Sequence, residues 1–195
     1  MEEQYRRSVE REVKIMLTRE QYDRIFARFD WDETARQTNH YYMDGKGLLR
    51  AEKINLRVRE KNGKYMLQVK SLVKNEKGGP SIHNEAERET DCAPEQFSAG
   101  EVKELTGIDT DGAQRIGCLT TVRSTLQYNG EIEICLDKSE YLGLTDWELE
   151  IEYTGDRLED VLSIVRELGL SADKKPKGKM SRFYARYKAL DRTQA

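Results

Sequence analysis

The chain has only two histidines, three cysteines and three prolines in 195 residues. So few histidines argue against a histidine-rich metal centre or a triad built on imidazole. Cys92, Cys118 and Cys135 are odd in number, far apart and form no C-x-x-C pair. This excludes a zinc ribbon and a dense disulfide framework, and it predicts reduced thiols in a cytoplasmic protein. Scarce proline and the lack of Gly/Ser-rich runs leave no long linker. Residues 1–195 therefore read as a single domain, long enough for one sizeable core. No apolar run is long enough to cross a membrane, and the opening Met-Glu-Glu-Gln-Tyr-Arg-Arg has no apolar stretch of the kind a secretory leader carries. Nor does charge of one sign dominate: 33 basic against 36 acidic residues give a net charge of -3. That balance gives no general reason to bind a nucleic acid polymer or a membrane surface.

Charge itself is plentiful, at 35% of residues, and it is arranged. Val9, Val13, Ile15 and Leu17 share one parity, and Glu10, Glu12 and Lys14 share the other. Alternation is the period of a β-strand. The same signature recurs at Ile54–Lys61, Lys64–Leu72, Ile82–Asp91, Cys118–Tyr128, Glu131–Leu136 and Thr145–Tyr153, with a shorter strand at Asn39–Asp44. Asn62-Gly63 and Asn129-Gly130 are hairpin turns by composition. Helices are predicted from Arg19, with Thr18 and Gln21 as a capping box and Tyr22, Ile25, Phe26 and Phe29 as its stripe. Further helices are predicted over Pro94–Thr106, Asp156–Leu168 and Met180–Leu190, with Gly107 and Gly169 as C-terminal stops. Antiparallel strands interspersed with helices make an α+β fold, and about eight strands suffice to close a barrel.

The charged parities are segregated by sign. Arg57, Arg59 and Lys61 occupy one strand, with Gln68 and Lys70 on the next and Arg123 on another. Glu85, Glu87, Glu89 and Asp91 form an acidic row, as do Glu131, Glu133 and Asp137, and again Glu148, Glu150 and Glu152. A wet sheet face accounts for alternation, but not for rows of one sign. Same-face neighbours lie about 6.6 Å apart along a strand. At an effective dielectric near 20, two like charges at that spacing repel by roughly 2.5 kcal/mol. Grouped carboxylates without His or Cys suit a hard divalent cation such as Mg²⁺ or Mn²⁺. Grouped Arg and Lys suit a polyanion, with Arg gripping phosphate in a fork. Metal together with a phosphate clamp is the equipment of phosphoryl transfer.

The E-x-E-x-K stretch Glu10-Arg11-Glu12-Val13-Lys14, followed by Arg57-Val58-Arg59, Lys70, Glu85 and Glu87, Arg123, Asp137 and Glu148-Leu149-Glu150, resembles the CYTH family, the triphosphate tunnel metalloenzymes. The likeness runs from about Ser8 to Tyr187 and is closest to the small bacterial single-domain members. It implies an eight-stranded antiparallel β-barrel forming a tunnel, with helices packed outside and charged residues pointing inward. Carried over, Lys14, Arg57, Arg59, Lys70 and Arg123 would grip the phosphates. Glu10, Glu12, Glu148 and Glu150 would bind metal, with Asp137 as a helper, and Glu85 and Glu87 would line the tunnel. Lys177 and Lys179 match a basic C-terminal element closing over it. Glu10, Glu12 and Lys14 would form the catalytic group, and Glu152 adds a third carboxylate to its row. His83 is expected in a loop, and Asp44 at a strand end within reach of the tunnel mouth.

The resemblance implies hydrolysis of a triphosphate compound, first of all inorganic triphosphate, by direct attack of water, in a monomer or homodimer. Class IV adenylate cyclase chemistry on ATP uses the same clamp and is the alternative within the family. Non-catalytic binding of polyphosphate or a nucleotide is the alternative outside catalysis.

Overall fold

The computed structural model describes residues 6–75 and 81–194, with the side chains of Arg7, Glu10, Lys74, Asn75, Ser81 and Gln194 left outside that description. The expectations for Glu10 as a metal and catalytic residue thus fall outside the described residues. The chain begins with β1 (Arg6–Leu17), α1 (Arg19–Phe26), β2 (Glu33–Met43) and α2 (Leu48–Ala51). Three strands follow, β3 (Ile54–Lys61), β4 (Lys64–Asn75) and β5 (Ser81–Thr90), then the two-residue β6 (Gln96–Phe97) and α3 (Ala99–Thr106). The remainder is β7 (Ala113–Asn129), β8 (Ile132–Tyr141), β9 (Leu144–Tyr153), α4 (Leu158–Glu167) and α5 (Lys179–Gln194). Among the described residues no helix is long and apolar enough to cross a membrane.

The strand order is β2-β3-β4-β5-β1-β9-β8-β7-β6, and β2 also pairs with β7. The eight longer strands therefore close on themselves as an antiparallel β-barrel, with helices outside. Closure removes the unpaired edges that an open sheet would expose.

Two compact units make up the chain. One is built mainly from residues 37–74 and 82–119, the other from residues 10–36 and 120–194. In the second, Ile15 and Leu17 of β1, Ile134 and Leu136 of β8, and Leu149 and Ile151 of β9 form one apolar face. Ile25 of α1, Val161 and Val165 of α4, and Leu168 just past its end pack in the same cluster. In the first, Leu56 and Val58 of β3 and Leu67 and Val69 of β4 cluster with Leu49 of α2, Phe97 of β6 and Val102 of α3. Each unit thus spends one strand parity on a helix-covered core and leaves the charged parity on the opposite face.

Local chemistry explains most boundaries. Thr18 and Gln21 bond reciprocally at the start of α1, as their spacing predicts. Asn62 and Gly63, with φ of 54° and 74°, make the left-handed turn between β3 and β4. The β8–β9 turn uses the same geometry at Leu142 and Gly143, with φ of 45° and 76°. Leucine rarely adopts that conformation, so this hairpin carries no compositional signal. The helix predicted from Pro94 starts only at Ala99, because Ser98 and Glu101 form a capping box there. Phe29, expected on the α1 stripe, lies beyond the helix and meets Trp31 edge to face at 5.6 Å. His83 lies in β5 rather than in a loop. Strand β2 begins at Glu33, six residues before the predicted Asn39 start, its early part being polar and largely exposed.

Leu149 is wholly buried. Leu149→Ala is expected to cost about 2–5 kcal/mol, the usual range for a core leucine, as measured by urea unfolding.

Candidate active site

The charged face of the second unit is assembled by register. Glu12 of β1 stands opposite Glu152 of β9, and Lys14 opposite Glu150. On the other side of β9, Glu150 faces Cys135 and Glu148 faces Asp137 of β8. Asp137 in turn faces Arg123 of β7. Antiparallel partners keep the same parity, so four strands deliver these residues to one face.

Cations and carboxylates interleave there. The Lys14 ammonium lies 2.9 Å from Glu150, 3.2 Å from Glu12 and 3.7 Å from Glu148. Lys179, the first residue of α5, reaches Asp137 and Glu150 at 2.7 Å each and Glu148 at 3.3 Å. Arg123 donates from Nε and Nη2 to the two oxygens of Asp137, at 2.8 and 2.7 Å, and Nη2 also meets Glu150. This fork is the strongest geometry available to a guanidinium.

Burial penalises every charge in the cluster, and only the partners offset it. Burial pulls the Lys14 ammonium toward neutrality, but Glu150, Glu12 and Glu148 outweigh it and hold the pKa above the usual lysine value. Burial would also raise Glu150, yet Lys14, Lys179 and Arg123 keep its carboxylate well below the usual range. Glu148 goes the other way. Burial, with the neighbouring Glu150 charge, pushes it up to about 7 despite Lys179 and Lys14. Burial likewise lifts the Cys135 thiol, which stays protonated.

Glu12, Glu150 and Glu152 each present a carboxylate oxygen, all within 4.8 Å of one another. These oxygen donors, free of His or Cys, fit a hard divalent cation better than a soft one.

The first unit carries its own polar face. Arg57 of β3 donates to Gln68 of β4 at 2.8 Å and to Glu85 of β5 at 3.1 Å. Gln68 passes the network on to Glu87 at 2.9 Å. Arg59 donates to the buried Asn39 of β2 at 3.1 Å, and Lys70 stands opposite Asn55 in the β3–β4 register.

A family model for the CYTH domain matches residues 8–184. The chain belongs to the CYTH family. It is 33% identical over 149 residues to the Bacillus subtilis protein named "Putative triphosphatase YjbK", covering 74% of this chain and 77% of that one. Among solved structures it is similar to a "putative adenylate cyclase" from Bacillus halodurans, with a TM-score of 0.73 at 23% identity over 91% of this chain and 98% of the other. It is also similar to a Hippeastrum protein described as a putative adenylyl cyclase with a dominant triphosphatase activity, with a TM-score of 0.71 at 22% identity over 90% and 95% of the two chains. These two likenesses support the CYTH fold.

Within this CYTH domain the structure gathers Glu12, Lys14, Arg123, Asp137, Glu148, Glu150 and Lys179 in one unit, and Arg57, Glu85 and Glu87 in the other. Lys177 is exposed, so of the two basic residues at this end it is Lys179 whose ammonium meets the carboxylates. Asp44 accepts from the Leu48 and Leu49 amides at 2.8 and 3.0 Å and so caps the short α2 just past the end of β2. Arg182 and Asp146 escaped the sequence reading. Arg182 follows Lys179 by one helical turn, a spacing that places both on one helix face. Asn39 carries the same parity as Tyr41 and lies opposite Arg59.

Asp137 has no exposed surface. Burial raises its pKa, but Arg123 and Lys179 together hold it below the ordinary 3.8. Its stabilising contribution is therefore complete above that value and disappears as the pH falls through the depressed one. The Arg123 side chain keeps 18% exposure, which puts the cost of Asp137→Asn near about 3 kcal/mol at neutral pH. Urea unfolding from neutral to acid is expected to show the gap between variant and wild type closing below ~pH 4.

Proposed function

We propose that this CYTH protein hydrolyses a triphosphate compound, with inorganic triphosphate as the leading substrate. The observation that carries this reading is the interleaving of Lys14, Lys179 and Arg123 with Glu12, Asp137, Glu148 and Glu150 on one sheet face. The names of the Bacillus subtilis relative and the Hippeastrum protein support the same chemistry.

On this reading Lys14, Arg123 and Lys179 neutralise and align the phosphate chain, the role that the family pattern also gives to Lys177 and to Arg57, Arg59 and Lys70. Alignment and charge neutralisation supply most of the catalysis in phosphoryl transfer. Glu85 and Glu87 hold the Arg57–Gln68 pair in place. Glu12, Glu150 and Glu152, with Glu10, Glu148 and Asp137 from the family pattern, would hold Mg²⁺ or Mn²⁺. The ion, when bound, supplies Lewis-acid neutralisation of phosphate oxygens. Cys135 is the thiol of this face, and burial keeps it protonated, so water is the nucleophile. A carboxylate of the cluster accepts its proton, and pyrophosphate leaves from the opposite side. The three free cysteines suit a cytoplasmic setting.

Phosphate release from tripolyphosphate, assayed with Mg²⁺ and then Mn²⁺, is the test. Turnover is expected to depend on the metal, and Glu12→Gln is expected to lower it by at least ~100-fold while the melting temperature falls by only a few degrees, since Lys14 keeps Glu150 and Glu148. Equal turnover by a folded Glu12→Gln would defeat the site assignment. Pyrophosphate and cyclic AMP from ATP would place the protein with the cyclase chemistry named for the Bacillus halodurans structure. Binding without turnover would make it a sensor.

A further inference from the structure

The first turn of α5 breaks a local rule. It holds Lys179 and Arg182 and no acidic residue. The positive end of a helix dipole disfavours cations there. Such a violation calls for a compensating contact, and it is a mark of functional positions.

Arg182 makes three contacts at once. Nε donates to Asp146 Oδ2 at 2.8 Å, Nη2 to Glu148 Oε2, and Nη1 to the backbone carbonyl of Lys177. Asp146 Oδ2 is itself fixed by the Tyr141 hydroxyl at 2.6 Å. One oxygen of Glu148 is thus tied to Arg182. The other, Oε1, faces Lys179 at 3.3 Å and Lys14 at 3.7 Å. The bond to Lys177 secures the chain two residues before Lys179. A planar guanidinium is suited to hold three acceptors in fixed relation, and an ammonium is not.

Docking of α5 does not require this fork. Phe183 is wholly buried beside Tyr141, with ring centroids 6.1 Å apart, and Arg186 donates to the Leu142 carbonyl at 3.2 Å. Arg182 is therefore spent on geometry rather than on attaching the helix.

We infer that Arg182 is a positioning residue of the phosphate clamp, locking Glu148 in one orientation and delivering Lys179 to the carboxylate face. This rests on the triphosphatase reading for its substrate, but not on hydrolysis itself. Arg182 touches neither phosphate nor metal in this role and acts through Glu148 and Lys179.

The test combines steady-state kinetics with calorimetric binding of tripolyphosphate, with and without Mn²⁺. Arg182→Met is expected to raise KM and Kd for tripolyphosphate by about tenfold while kcat falls less than about threefold. Its melting temperature should drop by no more than about 5 °C, because the Phe183 anchor remains. In a Glu148→Gln background the same substitution should change KM by less than about twofold, since the partner it acts through is already altered. A merely structural role would lower the melting temperature and leave KM and Kd unmoved, which would overturn the inference. Equal factors in both backgrounds would overturn it as well. If Arg182→Met does not fold, Arg182→Lys, which keeps the charge and loses the fork, is scored by the same criteria. A wild type that binds tripolyphosphate without cleaving it would remove the hydrolase reading and leave Arg182 to be judged by Kd. A wild type that neither binds nor cleaves would remove both.

Discussion

The contact on which the site depends is the Lys14 ammonium among Glu150, Glu12 and Glu148, at 2.9, 3.2 and 3.7 Å. Strand register puts it there, and burial makes it consequential. A buried carboxylate pair such as Glu148 and Glu150 is tolerable only with cations against it. Lys179 supplies the second cation from a different element, the start of α5, and Arg123 the third from β7. The clamp is therefore also what makes the acidic face possible. Removing a cation exposes carboxylate repulsion, and removing a carboxylate leaves a buried cation short of a partner.

Such a face contributes little net stability, since desolvation consumes much of the Coulombic gain. The opposite parity offsets this. Ile15, Leu149, Ile151, Ile134 and Leu136 are buried against helices α1 and α4, and Leu56, Val58 and Leu67 against α2 and α3. Neighbours such as Leu149 and Glu150 thus serve different ends one residue apart, the first packing in the core and the second joining the ion-pair network. The strand period of two makes that division possible without any extra structure.

Much of this was legible in the chain itself. Strict alternation revealed the strands, Asn62-Gly63 revealed its turn, and rows of single-sign charge revealed which strand faces are charged. What stayed hidden has physical reasons. The Leu142-Gly143 turn contradicts leucine's backbone preference, so no turn rule points to it. The early part of β2 is polar and exposed, and lacks the apolar parity that marks a strand. Glu152 was visible as a third carboxylate, but its nearness to Glu12 follows from the β1–β9 register, which no single strand encodes. Arg182 joins residues of β9 and the loop before α5, and only the packed helix reveals that its fork spans them.

The same ion pairs set the demand that binding must meet. Glu150 would hold a metal, and Lys14 and Lys179 a phosphate chain, only if those cations left their carboxylates. The most direct test is a crystal structure with Mn²⁺ and a hydrolysis-resistant imido analogue of tripolyphosphate. An anomalous manganese peak coordinated by Glu12, Glu150 and Glu152 is expected, with the Lys14 and Lys179 ammonium groups on phosphate oxygens. Manganese and analogue bound away from this face, with Lys14 still on Glu150, would contradict it.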